Sequence, residues 1–299
     1  MLDLINAGIH RYLKRPLTYI CFAASLICGL MYVFTSVDVS DSDGIFCPDD
    51  IYFIFSIIAN AVLCIMSTGT EFSSGVIRNK IYTGHKKHTV YLSELLITAL
   101  ISTVMFCLTA IPLVAYHIVY FQKMAHMILT LVLIFTAYIS ISIMLVFVCF
   151  ITANRTASAI IGALLIFMVN YIGYTTVDVL GEPEFLTKYH QANGDYFMVA
   201  GDVTGIEDME DIVKITQEDN PNYLRGIQRS VVTVIHDCNP NVSVNSFMSY
   251  CYCTNSFEEL HGYEKDHYSE MVRSEISMCI AAVLITLCGA VIFKKKNLK

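Results

Sequence analysis

Charge is scarce in this sequence. Only 15% of its 299 residues are charged, against 55% hydrophobic, and at a mean hydropathy of +0.57 it carries more apolar side chain than a soluble core of this size buries. A soluble globular domain is excluded. Also missing are a G-x-x-x-x-G-K-[ST] phosphate loop, an H-E-x-x-H pair, a G-x-S-x-G elbow and any pair of acids placed opposite each other in two apolar runs. The chain therefore lacks the groups that hydrolyse ATP or peptides. It is expected to be a non-catalytic membrane chain with no metal and no nucleic-acid partner, and no internal repeat or low-complexity tract interrupts it.

What the sequence has is long apolar runs. Hydrocarbon about 30 Å thick requires roughly 20 apolar residues per helical span, and six stretches qualify, at about 17–37, 51–69, 91–120, 126–150, 157–179 and 272–293. Lipid satisfies no backbone group and the runs lack the alternation of barrel strands, so helices are expected. The fold class is an all-α polytopic membrane protein of six spans. The third run is long and contains Pro112, which is expected to kink or break the helix and lay its last turn along the interface.

Charge placement predicts the topology. Arg11, Lys14, Arg15, Arg78, Lys80, Lys86, Lys87, Arg155, Lys294, Lys295, Lys296 and Lys299 cluster in segments that all fall on one side if both ends are cytoplasmic, with Asp3 and Glu71 as the acids there. Lysine and arginine of short loops concentrate on that side. The opposite segments are acidic: Asp38, Asp41, Asp43, Asp49 and Asp50 in one loop, and a large excess of acids over residues 181–270, with Lys123 the one dissenter. The net charge of -7 thus describes the external face.

Four regions follow. Residues 1–15 carry Leu2, Ile5, Ile9, Tyr12 and Leu13 at helical spacing with Arg11, Lys14 and Arg15 to one side, predicting an amphipathic helix on the inner leaflet; a frayed basic leader is the alternative. The run after Pro16 is too long for a cleavable signal and is expected to stay as an anchor. Residues 16–180 hold spans one to five with a cytoplasmic hairpin at 70–88. Residues 181–271 read as a small extracellular α+β domain with β-prone runs such as 230–236 and 242–253, and residues 272–299 are span six with a basic tail. Of the exterior cysteines Cys47, Cys238, Cys251 and Cys253, Cys238 is expected to pair with Cys251 or Cys253; free thiols or a metal site with His236 and His261 are the alternatives.

Within the spans, Ser56, Asn60, Cys64, Ser67 and Glu71 follow one another at steps of four, four, three and four, a polar or small face running down span two that is unsuited to lipid. On span five Ala159, Ala163, Phe167, Asn170 and Tyr174 share a face, with Ser158-xxx-Gly162 beside it for close packing. Asn60 and Asn170 either line a path or bond to neighbouring helices. Asp178 and Glu275 read as interfacial acids, and Glu94 as a partner for the basic hairpin six to eight residues before it.

The hairpin itself is Glu71-Phe72-Ser73-Ser74-Gly75-Val76-Ile77-Arg78-Asn79-Lys80. It resembles the E-[YF]-x-x-G-[TV]-[ILV]-[KR]-N hairpin of the ABC type-2 transporter permeases. The resemblance extends to the layout: amino-terminal helix, six spans, enlarged loop between spans five and six, and basic tail. Thr89 after Gly84-His85-Lys86-Lys87-His88 departs from the serine-arginine pair of many relatives. The resemblance implies a type V exporter fold in which this chain is the membrane subunit. A separate ATPase subunit would supply ATP and Mg, neither bound by this chain, and a second permease copy or paralogue would complete the path. It also implies that the hairpin is a coupling helix, with Glu71, Phe72, Gly75, Arg78, Asn79 and Lys80 in contact with or transmitting from the ATPase. Spans two and five would line the path, through Ser56, Asn60, Phe167 and Asn170. Antimicrobial peptides, lipids and drugs all suit such a path as cargo. The alternative is a membrane sensor with an extracellular ligand-binding domain, which the few lysine-rich residues of the expected cytoplasmic tail serve poorly.

Overall fold

A computed structural model of the chain describes residues 1–36, 50–120, 125–191, 196–200, 212–240, 242 and 261–296. The structure is mostly helical. Its helices are α1 (Leu2–Leu13), α2 (Pro16–Ser36), α3 (Asp50–Ser73), α4 (Val76–Tyr82), α5 (Lys87–Tyr120), α6 (Ala125–Thr152), α7 (Arg155–Gly181), α8 (Ile227–Asp237) and α9 (His261–Lys295). Three strands, β1 (Phe185–Gln191), β2 (Tyr196–Ala200) and β3 (Ile212–Asp219), lie between α7 and α8. Six helices, α2, α3, α5, α6, α7 and α9, are long and apolar enough to cross a membrane, which makes this a multi-pass membrane protein. The chain forms two compact units, one of Met1–Asn170 with Asp237–Lys299 and the other of Tyr171–His236.

The first unit is a helical bundle. Its core runs along α2, α3, α5 and α6 through Cys21, Ala61, Leu63, Ile97, Met105, Ile134, Tyr138 and Leu145. Small residues set how closely the helices approach. A side chain at Gly29 would strike the Thr109 carbonyl and the Pro112 ring, and one at Gly162 would strike Ile65. The expected small-residue face of α7 is thus a packing face, and the Thr152 hydroxyl reaches that of Ser158 at 2.6 Å. Of the kink or break expected at Pro112, the break does not occur: α5 continues as a helix through it. The Pro112 ring lies against Gly29 of α2, where any side chain would strike it.

At the α4 end of the bundle a second cluster gathers Phe72, Tyr91, Phe150 and Phe293. Their rings stack edge to face, with centroids 4.9 Å apart for Phe72 and Phe150 and 4.7 Å for Phe150 and Phe293, the geometry that ring quadrupoles favour. Lys296 then donates to the Phe150 and Ile151 carbonyls at the end of α6, a cation on the negative pole of a helix.

In the second unit β1 is the middle strand of an antiparallel sheet ordered β2-β1-β3, with a register shift at His190 and Gln191. Asn220 closes it: its amide donates to Glu182 and to the Pro183 carbonyl, each at 2.9 Å. Helix α8 corrects the strand expected over 230–236. Its β-branched residues cost only tenths of a kcal/mol each in a helix. Gly226, at φ +60, turns the chain into the first turn, and Ser230 and Thr233 donate back to the carbonyls of Gly226 and Arg229. The run expected at 242–253 lies, beyond Val242, outside the described residues, as do Lys123, Cys47, Cys251 and Cys253. Cys238 is unpaired among the described residues, with its thiol 4.0 Å from the Ser277 carbonyl.

Candidate functional site

Helix α3 ends because Gly75 takes a left-handed conformation, φ +73 and ψ 6, which a side chain with a Cβ resists. The chain reverses there into α4, and Gly84 at φ +95 turns it again before α5. The turn brings Lys80 of α4 back onto α3. Its amine lies 2.9 Å from Glu71 Oε2 and also pairs with Glu94 of α5. Glu71 is fully buried, and α1 supplies the rest of its coordination: Arg11 Nε donates to Oε1 at 2.9 Å and Nη2 to Oε2 at 3.4 Å. Arg15 stands 3.6 Å from Oε1 and donates to the Ser67 carbonyl at 2.9 Å.

One carboxylate thus holds α1, α3 and α4 together, and Lys80 extends the connection to α5. Buried charges persist only when paired and hydrogen-bonded, and the three cations here answer the two acids. The second oxygen of Glu94 has no hydrogen-bond partner among the described residues. Beside the cluster the buried Tyr12 hydroxyl lies 3.3 Å from Thr68 and 3.4 Å from Thr98. Burial, reinforced by the Glu94 charge, pushes the Tyr12 phenol well above its ordinary range.

This geometry redistributes the residues expected to act at the hairpin. Glu71, Phe72 and Lys80 are buried, whereas Arg78 and Asn79 are exposed, and Tyr82 beside them is 81% exposed. Glu94 takes Lys80, fourteen residues before it, as its hydrogen-bond partner, not the lysines nearest to it in sequence. Arg11 and Arg15 also depart from expectation: they turn inward to Glu71, while Leu2 and Leu13, expected on the apolar face, are exposed. The buried face of α1 is Leu4, Gly8 and Tyr12, and a side chain at Gly8 would strike Ile97. Leu4 and Gly8 precede Tyr12 at helical steps of four, a spacing that sequence inspection overlooks because glycine has no hydropathic signal.

The polar face of α3 is buried from end to end. Ser56, Asn60, Cys64, Ser67 and Glu71 all lie inside. Asn60 donates to Ser142 of α6 at 3.0 Å and accepts from Ser102 of α5 at 2.8 Å, and those two hydroxyls meet at 2.7 Å. Ser56 meets Thr109 at 2.6 Å and accepts from Tyr138. Asn170 of α7 is half-buried and donates to the Ile166 carbonyl at 2.9 Å, while Phe167 is 65% exposed. The four residues expected to share a path are therefore split: two are enclosed by the bundle, and α7 carries the other two. No cluster of metal-ligating side chains occurs among the described residues.

A scan against protein-family models gives no match, and a comparison with curated proteins gives none. The functional reading rests on this chain's own residues.

Proposed function

We propose that this chain is the permease subunit of an ATP-binding cassette exporter, driven by a separate ATPase subunit that docks on α4. The observation that carries this reading is the buried junction at Glu71. A load on the exposed residues Arg78, Asn79 and Tyr82 enters α4. It passes through Lys80 to Glu71 at 2.9 Å, and from there to α1 through Arg11 and to α5 through Glu94. Helix α3 transmits it onward, because its polar face is hydrogen-bonded to α5 and α6 from Asn60 to Ser56. These helices then move as one body, as rigid-body switching requires. The reading has α4 on the cytoplasmic side and residues 181–271 outside, in line with the placement of lysine and arginine.

The energy source is external by the same logic, since the chain has no phosphate loop. ATP and Mg belong to the partner, and two permease copies, or one with a paralogue, enclose the path. In this arrangement α7 contributes Phe167 and Asn170 to the path, and Asn60 and Ser56 stiffen the wall behind it. A path with an exposed aromatic ring and a half-buried amide suits an amphipathic cargo such as an antimicrobial peptide, a lipid or a drug.

Purification in mild detergent tests the proposal. The expected result is a complex with an ATPase subunit whose hydrolysis is lost from the complex on Arg78→Ala. Full transport by this chain in vesicles without any ATPase would overturn it.

A further inference from the structure

Glu71 and Glu94 are both fully buried, and they are answered unequally. Glu71 has three cations: Arg11 at 2.9 Å, Lys80 at 2.9 Å and Arg15 at 3.6 Å. Among the described residues Glu94 has one, the amine of Lys80 on Oε1, and its Oε2 accepts no hydrogen bond. The charge of Glu94 therefore depends on a single group that it shares with another acid.

The other elements around α5 offer no substitute. Helix α1 brings Arg11, whose guanidinium is committed to Glu71, and the Tyr12 hydroxyl, which lies between Thr68 and Thr98. Helix α2 has no charged residue, and α6 has only His126, in its first turn. At the near end of α9, Lys294 and Lys295 are exposed, and Lys296 is bound to the α6 carbonyls. On α5 itself Tyr91 lies against Gly289.

Lys80 sits on a short arm. Helix α4 is seven residues long and is joined at both ends through left-handed glycines, Gly75 at φ +73 and Gly84 at φ +95. A shift of α4 leaves Glu71 with both guanidiniums and Glu94 with no cation. A carboxylate buried without a partner is too costly to keep charged and is neutralised instead. Water reaches the edge of the cluster along α1, where the side chains of Arg11 and Arg15 are 32% and 22% exposed.

We propose that Glu94 is a proton-binding site coupled to α4: withdrawal of Lys80 is accompanied by uptake of one proton from water onto the Glu94 carboxylate, and return of the amine expels it. An oxygen lone pair gains the proton, no other bond in the chain changes, and nothing is oxidised or reduced. By linkage the effect runs both ways, so protonation of Glu94 weakens its hold on Lys80 and favours the shifted hairpin. The inference needs only movement of α4 and does not rest on the exporter reading.

Lys80→Met withdraws the amine permanently and keeps the apolar stem. Relative to the unsubstituted chain, the full-length variant in lipid vesicles should gain a protonated-carboxyl C=O stretch in the infrared at neutral pH, one that shifts in D2O. Adding Glu94→Gln should remove that band. The folding constant of Lys80→Met should fall by up to about tenfold per pH unit as pH rises, because the folded chain then holds one more proton than the unfolded chain. Neither the double variant nor the unsubstituted chain should share this slope. A Lys80→Met chain with no added band and no slope overturns the proposal, and so does one that fails to fold and is not recovered by Glu94→Gln.

A second measurement leaves Lys80 in place. The sequence has no tryptophan, so Tyr82→Trp puts a sole indole reporter on the exposed side of α4. Acidification should shift its emission in the otherwise native chain, and with Glu94→Gln added the emission should sit at the acid position at every pH. The same shift in both chains, as titration of the neighbouring His85 would give, or no shift in either, refutes the coupling.

Discussion

Lys80 reaches back across the Gly75 turn to set its amine 2.9 Å from Glu71, so a residue that reads as part of a solvated basic loop is in fact the buried keystone of the α3–α4 hairpin. The same amine also pairs with Glu94. Removing it leaves two acids facing each other in a site closed to water.

Lys80→Met should accordingly destabilise the fold by about 3 to 5 kcal/mol, the cost of an uncompensated buried charge. Adding Glu94→Gln should recover most of the loss, because Glu71 keeps Arg11 and Arg15. Thermal unfolding in detergent, followed by size-exclusion, compares the single and double variants; no recovery would remove Glu94 from the cluster.

Arg78→Ala and Asn79→Ala should behave differently. Both positions are exposed, so their stability change should stay within about 0.5 kcal/mol, while ATPase docking and transport fall. Glu71→Ala should lose stability and transport together. Parallel melting and transport assays separate contact with a partner from transmission inside the chain, and a strongly destabilised Arg78→Ala would contradict the assignment.

At mid-span, Asn60→Leu should cost about 1 to 3 kcal/mol because Ser102 and Ser142 lose their shared partner. Combined with Ser142→Ala, the loss should fall short of the sum of the two single changes. An additive double variant would show that the three polar groups do not form one network.

Two glycines are needed for unrelated reasons. Gly75→Val meets no neighbour but forces a left-handed backbone on a β-branched residue, at about 1 to 3 kcal/mol; Gly75→Asn should be milder. Gly289→Val has an ordinary backbone but collides with the Tyr91 ring, and Tyr91→Leu should relieve it. Melting of the four variants checks both claims.

Much of the architecture is a local property of the sequence. Run length and hydropathy determine the six spans, since a helix in lipid satisfies its own backbone groups whatever surrounds it. The steps of four and three on α3 determine that its polar face turns inward, because helical periodicity needs only the segment itself. The hairpin is legible for the same reason: Gly75 and Gly84 interrupt the helices on either side of a short basic run. Partner choice was left to the tertiary structure. Glu71 is answered by Arg11, sixty residues away, and Glu94 by Lys80 instead of the closer lysines. The energy of a buried charge depends on which distant groups the packing brings within about 3 Å. Packing likewise decided that Arg78 and Lys80, two residues apart on one short helix, face water and core respectively, and that residues 230–236 lie in the helix Ile227–Asp237.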